Sequence, residues 1–246
     1  MRKFSFRRKL ESAGVMVVAV GAAGMIAANG PLMKANEGAP MTRILAASAL
    51  GRDTVSWDIP NLDHAMVDQW IARFTGNMKP SLATYMVRMD KYNAMIEAKA
   101  EARGMPKDLV YLAMIESGGV ASAKSPVGAR GLWQFMAPTA RQYGLSSNER
   151  LDPEKSTDAA LDYLAALHTR FGSWYLAAAA YNVGQGRVAK EMKLATGSTK
   201  GTDADYYLIA SRLPQETRDY VPKMIAAARI AKDPAKYGFE PVLASK

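Results

Sequence analysis

The most informative segment of this 246-residue sequence reads LVYLAMIES and runs from Leu109 to Ser117. Apolar side chains surround it almost completely as far as Ile115, and a helix that is apolar on all sides is a buried helix. Pro106 stands just before it and favours the first turn of a helix. The segment therefore predicts a short helix at the centre of a hydrophobic core.

Helices are predicted on both sides of this segment. Upstream, apolar stripes with helical spacing begin at Val67 and Leu82, and Gly104 ends the second of these helices. Downstream, helical patterns cover residues 138–143, 156–171, 173–182, 187–196, 205–213 and 214–231. Since no segment alternates with the period of two that is typical of a strand, the sequence predicts an all-α fold.

Glu116 shares a helical face with Leu109, Leu112 and Ala113, so its carboxyl group is predicted to point into apolar surroundings. Burial raises the pKa of a carboxylic acid, and a place in the last helical turn acts in the same direction. Cleavage of a glycosidic bond requires such an acid, because the leaving oxygen must receive a proton. A glutamate that only accepts bonds from backbone donors or an arginine fits this helix equally well, so the segment alone leaves both roles open.

The composition restricts the chemistry that the chain can perform. It contains no cysteine, which excludes disulfides, thiolate metal sites and a cysteine nucleophile. Its two histidines, His64 and His168, are far apart in sequence and disfavour a histidine-rich metal site. Carboxylates are therefore the expected reactive groups.

The first 33 residues have the pattern of an export segment. A basic stretch, MRKFSFRRK, precedes an uncharged run of small and apolar residues from Ala13 to Ala28. We interpret residues 1–33 as a signal peptide or a retained N-terminal anchor, and the Gly-, Pro- and Ala-rich residues 34–57 as a linker. The expected location is the periplasm or the cell envelope.

Export changes the meaning of the net charge of +9. Residues 1–49 hold seven basic and two acidic side chains, so their removal leaves 25 basic and 21 acidic ones, a net charge of +4. A weakly basic exported domain is attracted to the anionic envelope. Nucleic acid is therefore not an expected partner.

Four motifs in order carry a resemblance to a known family. They read Glu116-Ser117, GARGLWQFM at residues 128–136, AYN at 180–182 and ETRDYV at 216–221. In this order and spacing they resemble the lysozyme-like lytic transglycosylases of the SLT family, glycoside hydrolase family 23, and within it the membrane-bound type-D members. The resemblance implies a catalytic domain over residues 105–232, an N-terminal helical extension over 58–104 and a C-terminal tail over 233–246.

Carried over residue by residue, the resemblance implies a catalytic acid at one end of a glycan groove. Glu116 would protonate the oxygen between N-acetylmuramic acid and N-acetylglucosamine, and Ser117 would orient the reacting sugar. The remaining groove residues would be Gln134, Met136, Tyr181 and Asn182 on one side, with Glu216 and Tyr220 on the opposite wall.

Other residues in these motifs have open or unusual roles. The rings of Trp133 and Phe135 either stack on sugar or pack in the core. The family usually has an aromatic residue where this chain has Gly119, which predicts a looser loop after the catalytic helix. Pro222 predicts a kink or a helix start just after Tyr220.

The family's mechanism uses one glutamate, which donates a proton and then takes one from the 6-hydroxyl of muramic acid. It leaves a 1,6-anhydro end and needs no metal or other cofactor. The implied partners are the glycan strands of peptidoglycan, with envelope or secretion-machine proteins as further candidates, and the chain is expected to be a monomer. Two alternatives are a hydrolytic muramidase of the goose-type lysozyme kind and an inactive glycan-binding scaffold.

Overall fold

The structure is a computed structural model, and it describes residues 56–240. The predicted export segment, residues 1–33, lies outside the described residues. The same holds for residues 34–55 of the predicted linker and for residues 241–246 of the predicted tail.

The described part of the chain is built from α-helices joined by loops and 3₁₀ turns, and the longest connection is the loop of residues 118–136. In chain order the helices are α1 (Ala65–Thr75), α2 (Lys79–Glu101), α3 (Val110–Ser117), α4 (Ala137–Gln142), α5 (Pro153–Phe171), α6 (Trp174–Val183), α7 (Gln185–Thr196), α8 (Asp203–Ile209) and α9 (Gln215–Lys232). Between residues 56 and 240 there is no β-strand, only isolated bridges of Arg130 to Lys124 and to Phe135. The all-α prediction is confirmed.

A single hydrophobic core includes side chains from all nine helices, and α3 crosses its centre. Leu112, Ala113 and Met114 of α3 are almost completely buried, as their apolar pattern predicts. Helix α3 packs against α2 and α9, and α6 packs against α5 and α9. The long helix α9 therefore forms one side of the environment of α3.

The first and last long helices of the core meet, because α1 packs along α9. An ion pair also joins α9 to the turn before α3, where the Lys232 ammonium lies 2.5 Å from the carboxylate of the buried Asp108. The other oxygen of Asp108 accepts a bond from the backbone N–H of Asp58 at 2.9 Å. The predicted N-terminal extension thus shares its core and its polar contacts with the rest of the described chain.

Pro222 lies inside α9, so the helix start predicted after Tyr220 is wrong. Proline lacks the N–H that would bond to the carbonyl of Arg218, four residues earlier. The hydroxyl of Tyr206 donates to that carbonyl at 2.7 Å and to the Thr217 carbonyl at 3.0 Å. The helix continues through Pro222, and the Tyr206 hydroxyl of α8 donates to the carbonyl that the missing N–H leaves without a partner.

Within residues 56–240, no helix is both long enough and apolar enough to cross a membrane.

Candidate active site

Glu116 lies in the last turn of α3, and only 7% of its surface is exposed. The helix ends at Gly118, whose φ of 59° is in the left-handed region that favours glycine. A Cβ on Gly118 would lie 2.6 Å from the ring of Tyr85, and one on Gly119 would lie 2.6 Å from the Cβ of Arg88. The expectation of a looser loop is therefore wrong: the glycines let this loop pack directly on α2.

The carboxyl group of Glu116 has one hydrogen-bond partner from the far end of the chain. The hydroxyl of Tyr220, on α9, donates to its Oε1 at 2.5 Å, and both side chains are buried. The resemblance implies that Tyr220 lies on a wall of the groove, and the structure brings its hydroxyl into direct contact with Glu116. Tyr220 therefore fixes the orientation of the carboxyl group.

Burial raises the pKa of Glu116 to about 7. The hydrogen bond from Tyr220 and the charge of Lys223 lower this pKa, while the charge of Glu216 raises it further. Desolvation is the largest of these effects, as the apolar face of the helix predicts. A carboxyl group with this pKa can exist in either protonation state near neutral pH, as a group that both gives and takes a proton must.

A cleft opens beside Glu116. It brings together Glu116 with three of the predicted groove residues, Gln134, Met136 and Tyr181. The other lining residues are Phe135, Thr139 and Tyr163. The segment before α4, the start of α4, the middle of α5 and the last turn of α6 therefore converge on the predicted acid.

Gln134 is the only non-glycine residue of the described chain with a positive φ, 49°. Such a conformation stores strain and is most common at functional sites. The buried side chain donates from Nε2 to the Gly131 carbonyl at 2.8 Å, while its Oε1 has no hydrogen-bond partner within residues 56–240. Gln134 thus lines the cleft, while its Oε1 is buried and unpartnered among the described residues.

Arg150 holds the loop that carries Gln134. Its guanidinium group is buried and donates to the carbonyls of Gly128 and Phe135 at 2.9 and 2.8 Å. The backbone of Gly131 passes so close to Arg150 that a Cβ there would lie 1.7 Å from the Arg150 carbonyl oxygen. The wall of the cleft is therefore rigidly attached to the turn before α5.

Asn182 and Glu216 lie outside the lining of the cleft and form a network of their own. The Nδ2 of Asn182 donates to Glu216 Oε1 at 3.1 Å, and the Thr217 hydroxyl donates to Asn182 Oδ1 at 2.7 Å. Asn182 is buried and Glu216 is exposed at the start of α9. This network connects α6 to the helix that carries Tyr220.

Ser117 is also apart from the cleft. Its hydroxyl donates to the carbonyl of Ala113 at 3.3 Å, one turn back along α3. The described contacts of Ser117 are thus within its own helix, and a role toward a sugar stays a prediction.

The structure gives different positions to Trp133 and Phe135, the two aromatic residues whose roles the sequence left open. Trp133 is completely buried, and its Nε1 donates to the Thr157 hydroxyl at 2.9 Å, so it packs in the core. Phe135 is also buried, yet it contributes to the cleft and packs edge-on against Tyr181, with ring centroids 6.1 Å apart. The Tyr181 hydroxyl donates to the Trp133 carbonyl at 2.8 Å.

Sequence reasoning missed Tyr163, Thr139 and Lys223. The first two line the cleft, and no motif marks either of them. Lys223 had a detectable signal, because it follows Tyr220 by three residues and Glu216 by seven and therefore shares their helical face. Between residues 56 and 240, no three His, Asp or Glu side chains cluster closely enough to hold a metal ion.

A helical fold with a buried glutamate beside a cleft is the arrangement expected of the lysozyme-like lytic transglycosylase domains. Residues 93–203 match the family model described as "Transglycosylase SLT domain", which confirms the resemblance seen in the motifs. The chain is similar to membrane-bound lytic murein transglycosylase D of Escherichia coli (strain K12), with 38% identity over 165 residues. That alignment covers 65% of this chain and 36% of the relative.

Two further similarities are to proteins with related names. Membrane-bound lytic murein transglycosylase F 2 of Alkalilimnicola ehrlichii is 34% identical over 143 residues, 55% of this chain and 29% of the relative. The crystal structure of the 70 kDa soluble lytic transglycosylase Slt70 from Escherichia coli aligns with a TM-score of 0.50 and 28% identity over 63% of this chain and 26% of that one. This chain therefore spans about a third of the length of the curated relatives that it matches.

Proposed function

We propose that this protein is a peptidoglycan lytic transglycosylase. It cleaves the β-1,4 bond between N-acetylmuramic acid and N-acetylglucosamine and leaves a 1,6-anhydromuramic acid end. The observation that carries this proposal is the buried carboxyl group of Glu116, with a pKa of about 7, at the wall of a cleft in an SLT domain.

In this mechanism Glu116 performs both proton transfers. Its protonated form gives a proton to the glycosidic oxygen as the bond to C1 of muramic acid breaks, and the carboxylate that remains accepts the proton of the 6-hydroxyl as that oxygen attacks C1. A pKa near 7 suits both steps, because neither protonation state is strongly disfavoured at neutral pH. Tyr220 keeps Oε1 in place through both steps, since its hydroxyl can donate to either form.

The lining of the cleft supports recognition of an N-acetyl sugar. Gln134 brings an amide side chain to the wall of the cleft, a group able to bond to an acetamido group or a sugar hydroxyl. Met136 and the tyrosines at positions 163 and 181 supply apolar surface for the faces of the sugar rings. Ser117, Asn182 and Glu216 would complete the groove once a longer glycan is bound.

The lining also favours transglycosylation over hydrolysis. Enzymes that hydrolyse glycosides usually employ two carboxylates about 5–9.5 Å apart. Among the residues that line the cleft in the described part of the chain, Glu116 is the only carboxylate, and the nearby Glu216 is bonded to Asn182. A hydrolytic muramidase remains the second candidate because a single acid can also assist the attack of water.

The site of action that we propose is the periplasm or the cell envelope. The basic and apolar residues 1–33 support export, and the matched relatives are named as membrane-bound. The protein would act there as a monomer on glycan strands, alone or with envelope or secretion-machine proteins.

Mass spectrometry of purified peptidoglycan after incubation with the purified protein tests the proposal. We expect fragments with 1,6-anhydro ends from the parent protein and about 10²–10⁴-fold fewer from Glu116→Gln. Reducing ends would replace the proposal with the hydrolase, and binding to the glycan without any release would replace it with the scaffold. A Glu216→Gln variant as inactive as Glu116→Gln would make Glu216 a second catalytic carboxylate and would also favour the hydrolase.

A further inference from the structure

Lys223 brings a positive charge to the end of the helix that carries the predicted acid. It lies on α9 one turn after Tyr220, and its side chain is half-buried. Its Nζ donates to the carbonyl of Ile115 at 3.4 Å, the residue directly before Glu116. The ammonium group thus lies at the negative end of α3, where a cation is favoured.

An aromatic ring from α1 supports this ammonium group. The Nζ of Lys223 lies 5.6 Å from the ring centroid of Trp70, within the range of a cation–π interaction. The guanidinium group of Arg73 lies 4.8 Å from the same ring. Trp70 therefore contacts two cations, only one of which reaches the end of α3.

The charged groups around Lys223 are mainly carboxylates. Burial lowers the pKa of Lys223, and Glu116, Glu216 and Asp219 act against that effect. The other titratable or charged groups near Glu116 are Tyr220 on α9, Tyr181 on α6, Tyr163 on α5 and, behind the Gly119 loop on α2, Arg88. Among the groups that shift the pKa of Glu116, Lys223 is the cation.

We propose that Lys223, supported by Trp70, is a positioning residue that stabilises the negative charge which Glu116 acquires when it gives up its proton. Without this cation, a carboxyl group in such apolar surroundings would hold its proton too strongly to transfer it to a leaving oxygen. The proposal rests on the function proposed above. It makes α1, which lies outside the matched residues 93–203, a contributor to the chemistry of the site.

The first test measures the pH dependence of glycan release by the full chain. In Lys223→Met the proton on Glu116 is held more tightly, so the alkaline limb of the profile should move upward by about one pH unit and the maximal rate should fall about tenfold. Lys223→Arg should restore the limb of the parent, because it restores the charge. Trp70→Leu should move the limb in the same direction as Lys223→Met but by less.

Arg73→Met is the matched control. It removes the other cation from the Trp70 ring without a contact to α3, so its profile should match that of the parent. A simple loss of packing would lower the rate of every variant and leave the position of the alkaline limb unchanged. The proposal would be overturned if the alkaline limb of Lys223→Met did not move and if Lys223→Arg released glycan no faster than Lys223→Met.

A second measurement separates this proposal from the proposed function. The Glu116 carboxyl carbon can be titrated by ¹³C NMR, with its signal assigned by its absence in Glu116→Gln. We expect a higher pKa in Lys223→Met and in Lys223→Gln than in the parent, and an unchanged titration in either folded variant would refute the role of Lys223. If the parent protein released no glycan but the titration still shifted in the Lys223 variants, the transglycosylase function would be rejected. The electrostatic role of Lys223 would still stand.

Discussion

At the scale of single residues, Glu116 lies in a buried environment that disfavours its charged form, and its hydrogen-bond donor can bond to both the charged and the neutral form. Desolvation holds its pKa near 7, and the Tyr220 hydroxyl donates to Oε1 whether the group is charged or neutral. The same environment therefore influences both the activity and the stability of the protein.

We predict that Glu116→Gln abolishes most of the activity without loss of stability. Gln keeps the length of the side chain and the acceptor for Tyr220 but has no transferable proton, so glycan release should fall by about 10²–10⁴-fold. The pKa of Glu116 in the folded protein, about 7, lies above its usual value of 4.5. Between these two values the unfolded chain loses its proton while the folded protein keeps it, so stability falls as the pH rises through this window.

The variant should therefore be more stable than the parent by up to about 3 kcal/mol above pH 7, and the difference should vanish below pH ~4.5. Melting temperatures of both proteins at several pH values, measured beside glycan release, check this. An active but destabilised Gln variant would assign Glu116 to a purely structural role.

Two tyrosines at the site allow a comparison of a catalytic contact with a structural one. Tyr220→Phe removes the donor to Glu116 and should raise the pKa of the acid and lower the rate about tenfold. Tyr181→Phe removes a bond to the Trp133 carbonyl, so it should lower the free energy of unfolding by about 1–3 kcal/mol while activity is largely retained. Tyr220→Phe should thus change the pH profile of glycan release, and Tyr181→Phe should change the melting temperature. If Tyr181→Phe changed both, our assignment of the contacts would be wrong.

At the scale of elements, the loop between α3 and α4 is determined by close backbone contacts. We predict that Gly131→Ala lowers the free energy of unfolding by at least about 3 kcal/mol, because it adds a collision with the Arg150 carbonyl to an unfavourable φ of 84°. Gly128→Ala is the control: its φ is 90°, but no atom lies within 4 Å of the added Cβ, so only the backbone cost of about 1–2 kcal/mol applies. Urea unfolding of both variants gives the comparison, and equal losses would exclude the contact with Arg150 as the cause.

The order and type of the helices could be predicted from sequence because apolar periodicity is a local property. Helix α3 is the clearest example, since its apolar run predicts both its existence and its burial. The contacts between helices could not be predicted in the same way. The bond between Glu116 and Tyr220 joins residues 104 positions apart, and no periodic pattern indicates which faces meet over such a distance.

Open and wrong expectations have the same origin. The motif left Trp133 open between sugar stacking and core packing, and in the structure it is buried with a hydrogen bond to Thr157 of α5. Gly119 suggested a loose loop because glycine is flexible in isolation, while the structure employs it to bring the backbone against Arg88. In both positions the deciding neighbour belongs to another helix.

At the scale of the whole molecule, the shared core defines the smallest part of the chain that can fold. We predict that residues 50–246 form a soluble, helical monomer that melts cooperatively. A fragment of residues 93–246 should not, because it loses buried side chains from α1 and α2, namely Val67, Phe74, Leu82, Met86 and Met89. Circular dichroism melting of the two fragments tests this, and a cooperative transition in the shorter one would show that α1 and α2 are dispensable.

The packing of α1 on α9 affects when, during folding, the surroundings of Glu116 are completed. A ribosome makes α1 first and α9 last, and contacts between such distant segments form late because closing a long loop costs entropy. Until α9 docks, Glu116 has neither its tyrosine donor nor the ammonium group beside it. The surroundings that set the pKa of Glu116 are therefore complete only when α9, the last helix of residues 56–240, has docked.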